Sequence, residues 1–366
     1  MSKYIYQYKK WTDFCWNEQK INALFGEVKL LQGELRGQIQ LIGFSSKAEK
    51  TLETLTLDVL KSSAIEGEYL NYEQVRSSIA RRLGINVAGL AASARNVEGV
   101  VEMMLDATQN FAKPLTKERL FSWHAALFPT GYSGLQKIEV AKFRTGEMQI
   151  VSGALGHEKV HYEALPYKKV EKEMDKFLLW LNSDNNQIDN VLKSAIAHLW
   201  FIIIHPFDDG NGRIARAISD YLLARSENSC QRFYSLSNQI HTEKKQYYEC
   251  LQKVQHCEKD ITIWLIWFLN CFKNALLETE KSLQKIVEKA KFWEENKYVQ
   301  INERQRFMLN KLFDDFFGSL TSSKWAKMTK SSQDTAIRDI KDLIEKGILQ
   351  QSEAGGRSTN YELKKK

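Results

Sequence analysis

The feature that most constrains this chain is a pair of apolar runs separated by a short polar loop. Val191 to Ile204 is apolar on nearly every side, as expected of a helix buried in the middle of a domain. Pro206 cannot continue that helix and biases His205 out of it, so helix is expected to give way to loop at His205. Downstream, Ile214, Ala217, Ile218, Tyr221 and Leu222 recur at helical spacing, which starts a second buried helix near Gly212 and puts Arg213 and Arg216 together on its other face. No single small scaffold buries both, and a length of 366 residues favours two or three domains with a substantial core.

Composition agrees with a helical reading. Hydrophobic residues make up 43% and charged residues 27%, with only four prolines, the profile of an ordered, mostly helical globular protein. The five cysteines are scattered without CxxC spacing, so reduced thiols in a cytoplasmic protein are expected. The first residues lack an apolar signal core, and no stretch approaches the ~20 apolar residues that span a bilayer, so no membrane partner is expected. A net charge of +7 spread over this length decides nothing about partners.

Three regions follow from patterning. Residues 1–95 form a helical N-terminal region, in which apolar positions recur at helical spacing from Trp11 to about Leu83, for example Leu52, Leu55, Val59 and Leu60, with Phe14 and Trp16 near its start. Residues 96–290 hold the two buried helices and one glycine-punctuated, β-compatible stretch from Phe143 to Glu163 that reads as a hairpin. Residues 300–366 read as a winged helix. There a helix from Ser332 to Glu345 puts Ala336, Ile337, Ile340, Leu343 and Ile344 on one face and stops at Gly347, and two short strands flank a Gly355-Gly356 turn.

The loop between the buried helices carries the chemistry. Glycines at 210 and 212 permit close backbone approach, and the helix start beyond them offers free N–H groups and a positive dipole end to an anion. Arg213 and Arg216 can fork onto phosphate oxygens, and Asp209 offers the hard oxygen that Mg²⁺ prefers when it shares ligands with polyphosphate. His205 titrates nearest neutrality and is suited to take a proton from an attacking hydroxyl. The set fits phosphoryl or nucleotidyl transfer. His198, two turns before His205, is expected to be a packed histidine or one that supports the site from behind.

The run HPFDDGNGRIAR, residues 205–216, resembles the Fic signature HPFx[D/E]GNGRxxR throughout. The resemblance implies an all-α Fic core with a small β-hairpin flap, and transfer of AMP from ATP to a Ser, Thr or Tyr hydroxyl of a target protein. His205 would be the general base and Asp209 would hold Mg²⁺. Asn211, Gly212 and Arg213 would cradle the phosphates and Arg216 would hold the γ-phosphate, with Phe207, Asp208 and Gly210 on the nucleotide side of the loop. The flap of such proteins follows an FR dipeptide, here Phe143-Arg144, and pairs with the target's backbone, placing Met148 and Ile150 beside the nucleotide. Tyr247-Tyr248-Glu249-Cys250-Leu251 resembles the family's YYxxL segment, whose first tyrosine packs near adenine; where the family often has asparagine eight residues later, this chain has Gln255.

Upstream, SSAIEG at 62–67 resembles the inhibitory motif [S/T]xxxE[G/N] of one class of Fic proteins, with Ser62 and Glu66 one turn apart on the same helix face. A Glu66 carboxylate forked to Arg216 would take the place of the γ-phosphate.

Other readings stay open. The same fold supports removal of AMP, phosphotransfer or another donor nucleotide, although the kinase-like relatives carry lysine where this chain has Gly212. The C-terminal region has ten Lys/Arg against six Asp/Glu from Thr321 to Lys366, and Lys330, Ser331, Gln333, Thr335 and Arg338 begin its candidate recognition helix. That footprint admits DNA, a protein or a second copy of the chain, so a DNA-binding regulator is the alternative to an enzyme.

Overall fold

The computed structural model describes residues 3–364 apart from 41, 88, 153–158, 184–187, 314–315 and 353–358. The expected mostly helical architecture with small two-stranded hairpins is what it shows. The chain divides into two units, Met1–Thr279 and Glu280–Lys366, and the division falls within one long helix.

The first α-helix begins at Glu18, later than apolar spacing from Trp11 implies. Trp11 and Phe14 precede the first α-helix and pack edge-on against Trp200, with ring centroids 6.1 and 5.7 Å away. Three helices follow: α1 (Glu18–Gln40), α2 (Phe44–Ile65) and α3 (Tyr72–Leu83). On α2, Leu52, Leu55 and Val59 are buried. Asn71 caps α3 by accepting from the Gln74 N–H, and Gly84 closes it in the left-handed conformation.

Next come α4 (Arg95–Gln109) and α5 (Lys117–Leu127), the latter capped by Thr116. These two helices approach through Gly99, where an added Cβ would lie 1.7 Å from the Ala126 carbonyl oxygen. Gly99→Ala must therefore separate them, and a loss of about 3 kcal/mol in urea unfolding is expected. Wild-type stability in that variant would refute the close approach.

After α5 the chain forms two antiparallel hairpins. The first pairs β1 (Tyr132–Ser133) with β2 (Gln136–Lys137), and the second pairs β3 (Gln149–Ser152) with β4 (Lys159–Glu163), with an irregularity between Ile150 and Val151. The tip of the second, residues 153–158, lies outside the described residues. Then come α6 (Tyr167–Asn182), α7 (Asn190–Ile204) and α8 (Asn211–Glu227). Nearly every residue of α7 and α8 is buried, because each packs on the other and on a surrounding layer. The unit closes with α9 (Leu236–Thr242), α10 (Lys244–Val254) and the start of α11 (Thr262–Glu295).

The second unit contains α12 (Glu303–Phe313), α13 (Ser322–Thr329) and α14 (Gln333–Glu345), then a hairpin of β5 (Leu349–Gln351) and β6 (Tyr361–Leu363). Its core gathers Met308, Leu309, Trp325, Ala336, Ile340, Leu343 and Leu349. Ile344, expected on the buried face of α14, is 37% exposed, because the face that packs is the narrower one through Ala336, Ile340 and Leu343. The Gly355-Gly356 turn lies outside the described residues. Among the described residues no helix is long and apolar enough to cross a membrane.

Candidate active site

The loop between α7 and α8 is shaped by two left-handed residues. His205 caps α7 at φ 51°, its N–H donating to the Phe201 carbonyl at 2.9 Å, and Gly210 precedes α8 at φ 80°. A Cβ at Gly210 would meet the Phe128 ring at 2.9 Å, so glycine is needed there for packing as well as for φ. No side chain caps the start of α8, which leaves its first N–H groups available to a ligand.

A strained non-glycine residue needs support, and Arg144 supplies it. Its buried guanidinium donates to the His205 carbonyl (Nε, 2.8 Å), the Gly146 carbonyl (Nη1, 2.7 Å) and the Leu165 carbonyl (Nη2), while its own N–H donates to the Pro206 carbonyl at 2.9 Å. Both ends of the β3–β4 hairpin are thereby tied to the residue that carries the imidazole. The role of Arg144 was not readable from the sequence, because its partners are carbonyls far along the chain.

His205 Nδ1 lies 3.3 Å from the Ile202 carbonyl, which can only accept, so Nδ1 carries the proton and Nε2 is the free base. Burial pushes the imidazole pKa down to about 4, so it is neutral at physiological pH. His198 is the packed residue expected: it is buried, with Ser219 Oγ and Tyr247 OH each 2.9 Å from one ring nitrogen.

A cavity of about 550 Å³ opens beside this loop. Of the residues singled out in the sequence, His205, Asp208, Asp209, Asn211, Gly212, Tyr247, Gln255, Ile150 and Glu66 line it. Phe207 does not: its ring is buried and stacks on His124 at 4.3 Å. Met148, Gly210, Ser62, Arg213 and Arg216 are also not among the lining residues. Asn211 uses its side chain to stitch the loop, accepting from the Phe207 N–H at 3.0 Å and donating to the Phe207 carbonyl at 2.8 Å.

The two aspartates are held from the first hairpin and its exit. Asp208 accepts from the Glu139 N–H at 2.9 Å, and Asp209 accepts from the Ser133 hydroxyl and from the Gly210 N–H. His124 Nε2 lies 3.2 Å from the Asp209 carbonyl and Nδ1 accepts from the Ala141 N–H at 3.2 Å, which fixes its tautomer; burial lowers its pKa to about 4. Neither Ser133 nor His124 stands in a recognisable motif.

Arg216 is 1% exposed, and the end of α2 with the residue after it engages its Nε and Nη2, while the buried Nη1 has no hydrogen-bond partner among the described residues. It donates to Ser62 Oγ (Nε, 2.9 Å) and the Ser62 carbonyl (Nη2, 2.8 Å), and Nη2 pairs with Glu66 Oε1 at 2.9 Å. The Glu66 carboxylate rests on the bare Cα of Gly212: a Cβ there would lie 2.1 Å from Oε1. Ser62 and Glu66 thus both contact one arginine. Arg213 stacks over Phe128 and pairs at 2.6 Å with Glu68, a residue just outside the SSAIEG run. The base of this contact is a buried polar cluster. Asp58 of α2 accepts from Ser235 Oγ at 2.6 Å, and Arg232 pairs with Asp220 of α8 at 2.5 Å. Burial, with the Asp220 charge beside it, raises Asp58 to about 7.

Residues 114–223 match the Fic/DOC family, and residues 4–85 match a domain of unknown function, DUF4172. Protein adenylyltransferase fic-1 of Caenorhabditis elegans is 27% identical over 204 residues, a stretch covering 53% of this chain and 36% of that protein, so the chain spans about a third of the length of that relative. Protein adenylyltransferase Fic of Drosophila grimshawi is 44% identical over 54 residues, 14% of this chain and 11% of that one. A Fic family protein from Desulfovibrio desulfuricans G20 has a similar fold, with a TM-score of 0.54 at 21% identity over 95% of this chain and 96% of its own. A Fic domain containing signaling protein from Bacteroides thetaiotaomicron VPI-5482 gives 0.51 at 19% identity over 72% and 97%.

Proposed function

We propose, from the premise that the chain carries a Fic/DOC domain, that it is a protein adenylyltransferase with Mg²⁺-ATP as donor and with Glu66 holding basal activity down. The observation that carries this reading is the meeting in one cavity of a histidine with a free Nε2, an uncapped helix start, and a carboxylate resting on that start and on Arg216. Similarity to proteins named adenylyltransferases supports it.

In this reading the target's Ser, Thr or Tyr hydroxyl gives its proton to His205 Nε2 while its oxygen bonds to the α-phosphorus of ATP. The bond from that phosphorus to the bridging oxygen breaks, and pyrophosphate leaves. Target backbone adds as a strand to the β3–β4 flap, whose Arg144 anchor keeps flap and base in register. The start of α8 with Arg213 and Arg216 binds the phosphates, and Tyr247, held by His198, forms a wall of the adenine end.

Asp209 fits a Mg²⁺ ion held mainly by substrate phosphates: it is a cavity-lining carboxylate already oriented by Ser133 and Gly210. When bound, the ion neutralises polyphosphate charge.

The test is label transfer to protein by Glu66→Gly enzyme from ATP labelled at the α- or at the γ-phosphate. Label on protein from the α-position alone is the expected result. Label from the γ-position would make the enzyme a phosphotransferase and overturn the reading.

A further inference from the structure

We infer that Glu68 is a second inhibitory carboxylate, acting on Arg213 as Glu66 acts on Arg216, so that removing Glu66 alone releases only half of the phosphate site. The inference rests on the adenylyltransferase reading and deepens it.

Gly67, at φ 84°, reverses the chain at the end of α2. Three backbone bonds hold that turn against the last turn of the helix: Glu66 N–H and Glu68 N–H each donate to the Ser63 carbonyl at 3.0 Å, and Gly67 N–H donates to the Ala64 carbonyl at 3.1 Å. The two carboxylates flanking the glycine are thus delivered to α8 by one rigid turn. Their partners, Arg213 and Arg216, stand three residues apart and so on one side of α8.

The Arg213 side chain is 6% exposed, and its pairing to Glu68 Oε2 at 2.6 Å is shorter than the Glu66–Arg216 contact. A guanidinium this enclosed has little room to turn to a second anion while the first stays bound. The Glu66-Gly67-Glu68 segment therefore presents two negative groups to the two cations that would take the phosphates of ATP. It acts as a built-in dianion competing with the nucleotide.

The experiment compares Glu66→Gly with Glu66→Gly/Glu68→Gln. Glutamine keeps the size of the side chain and removes its charge, and thermal melts of both proteins check the fold. In the double variant the KM for ATP in AMP transfer is expected to fall about tenfold below that of Glu66→Gly, and the dissociation constant of Mg²⁺-ATP from calorimetry by a similar factor. An unchanged KM and dissociation constant would overturn the inference. A rise in both would overturn it too, since Glu68 would then orient Arg213 for the nucleotide. If no variant transfers AMP, the proposed reaction fails, while the binding measurement still decides: tightening supports the clamp and no change refutes it.

Discussion

Replacing His205 by alanine, in protein already relieved by Glu66→Gly, is expected to lower AMP transfer about 10²- to 10⁴-fold, the range for loss of a positioned general base. The geometry gives the reason. Nδ1 is committed to the Ile202 carbonyl, so Nε2 is the nitrogen that can accept the hydroxyl proton, and the ring borders the cavity beside Asp209 and Gly212. ATP binding should be retained, because the residues proposed to hold the phosphates lie beyond it on α8. The pH profile adds a second reading. With its pKa lowered to about 4, His205 is already deprotonated at neutral pH, so kcat/KM should stay level from neutrality down to about pH 5 and fall only below that. An acid limb near the ordinary histidine value of about 6.5 would place the base elsewhere or in a wetter site. Undiminished transfer by His205→Ala would remove it from the chemistry.

The opposite change is expected at Glu66. Glu66→Gly should raise self-modification at least about tenfold, read as an AMP-sized mass gain on the intact protein, because it vacates both the Arg216 guanidinium and the surface of Gly212. Removing one member of a pair whose other member is 1% exposed leaves a buried cation without its counter-charge. The variant without nucleotide should therefore melt below wild type, and Mg²⁺-ATP should restore more stability to it than to wild type. Ser62 continues to bond Arg216, so the arginine stays placed while its charge is free to bind phosphate. Equal self-modification by wild type and Glu66→Gly would end the claim that this glutamate inhibits.

The amino-acid sequence alone determined what is contiguous. The two buried helices, the break at His205-Pro206 and the glycine-flanked helix start all lie within residues 191–222, where apolar periodicity and proline and glycine geometry act over a few residues. The spacing of Ser62 and Glu66 was legible for the same reason, since residues four apart on a helix share a face. The limits of α14's buried face and the start of the first helix were misjudged, because burial depends on what lies opposite, which periodicity does not report.

Tertiary structure decided what surrounds that core of the site. Arg144 reaches the His205 carbonyl across 61 residues, Ser133 reaches Asp209 across 76, and Glu68 reaches Arg213 across 145. None of these pairs has a local spacing to reveal it. Each exists because α2, the two hairpins and the α7–α8 pair are packed around a common centre, and buried polar groups brought together there must satisfy one another or go unpaired. The chemistry of the loop can be read from its residues, whereas the occupation of its arginines by carboxylates from the turn after α2 is a property of the packing.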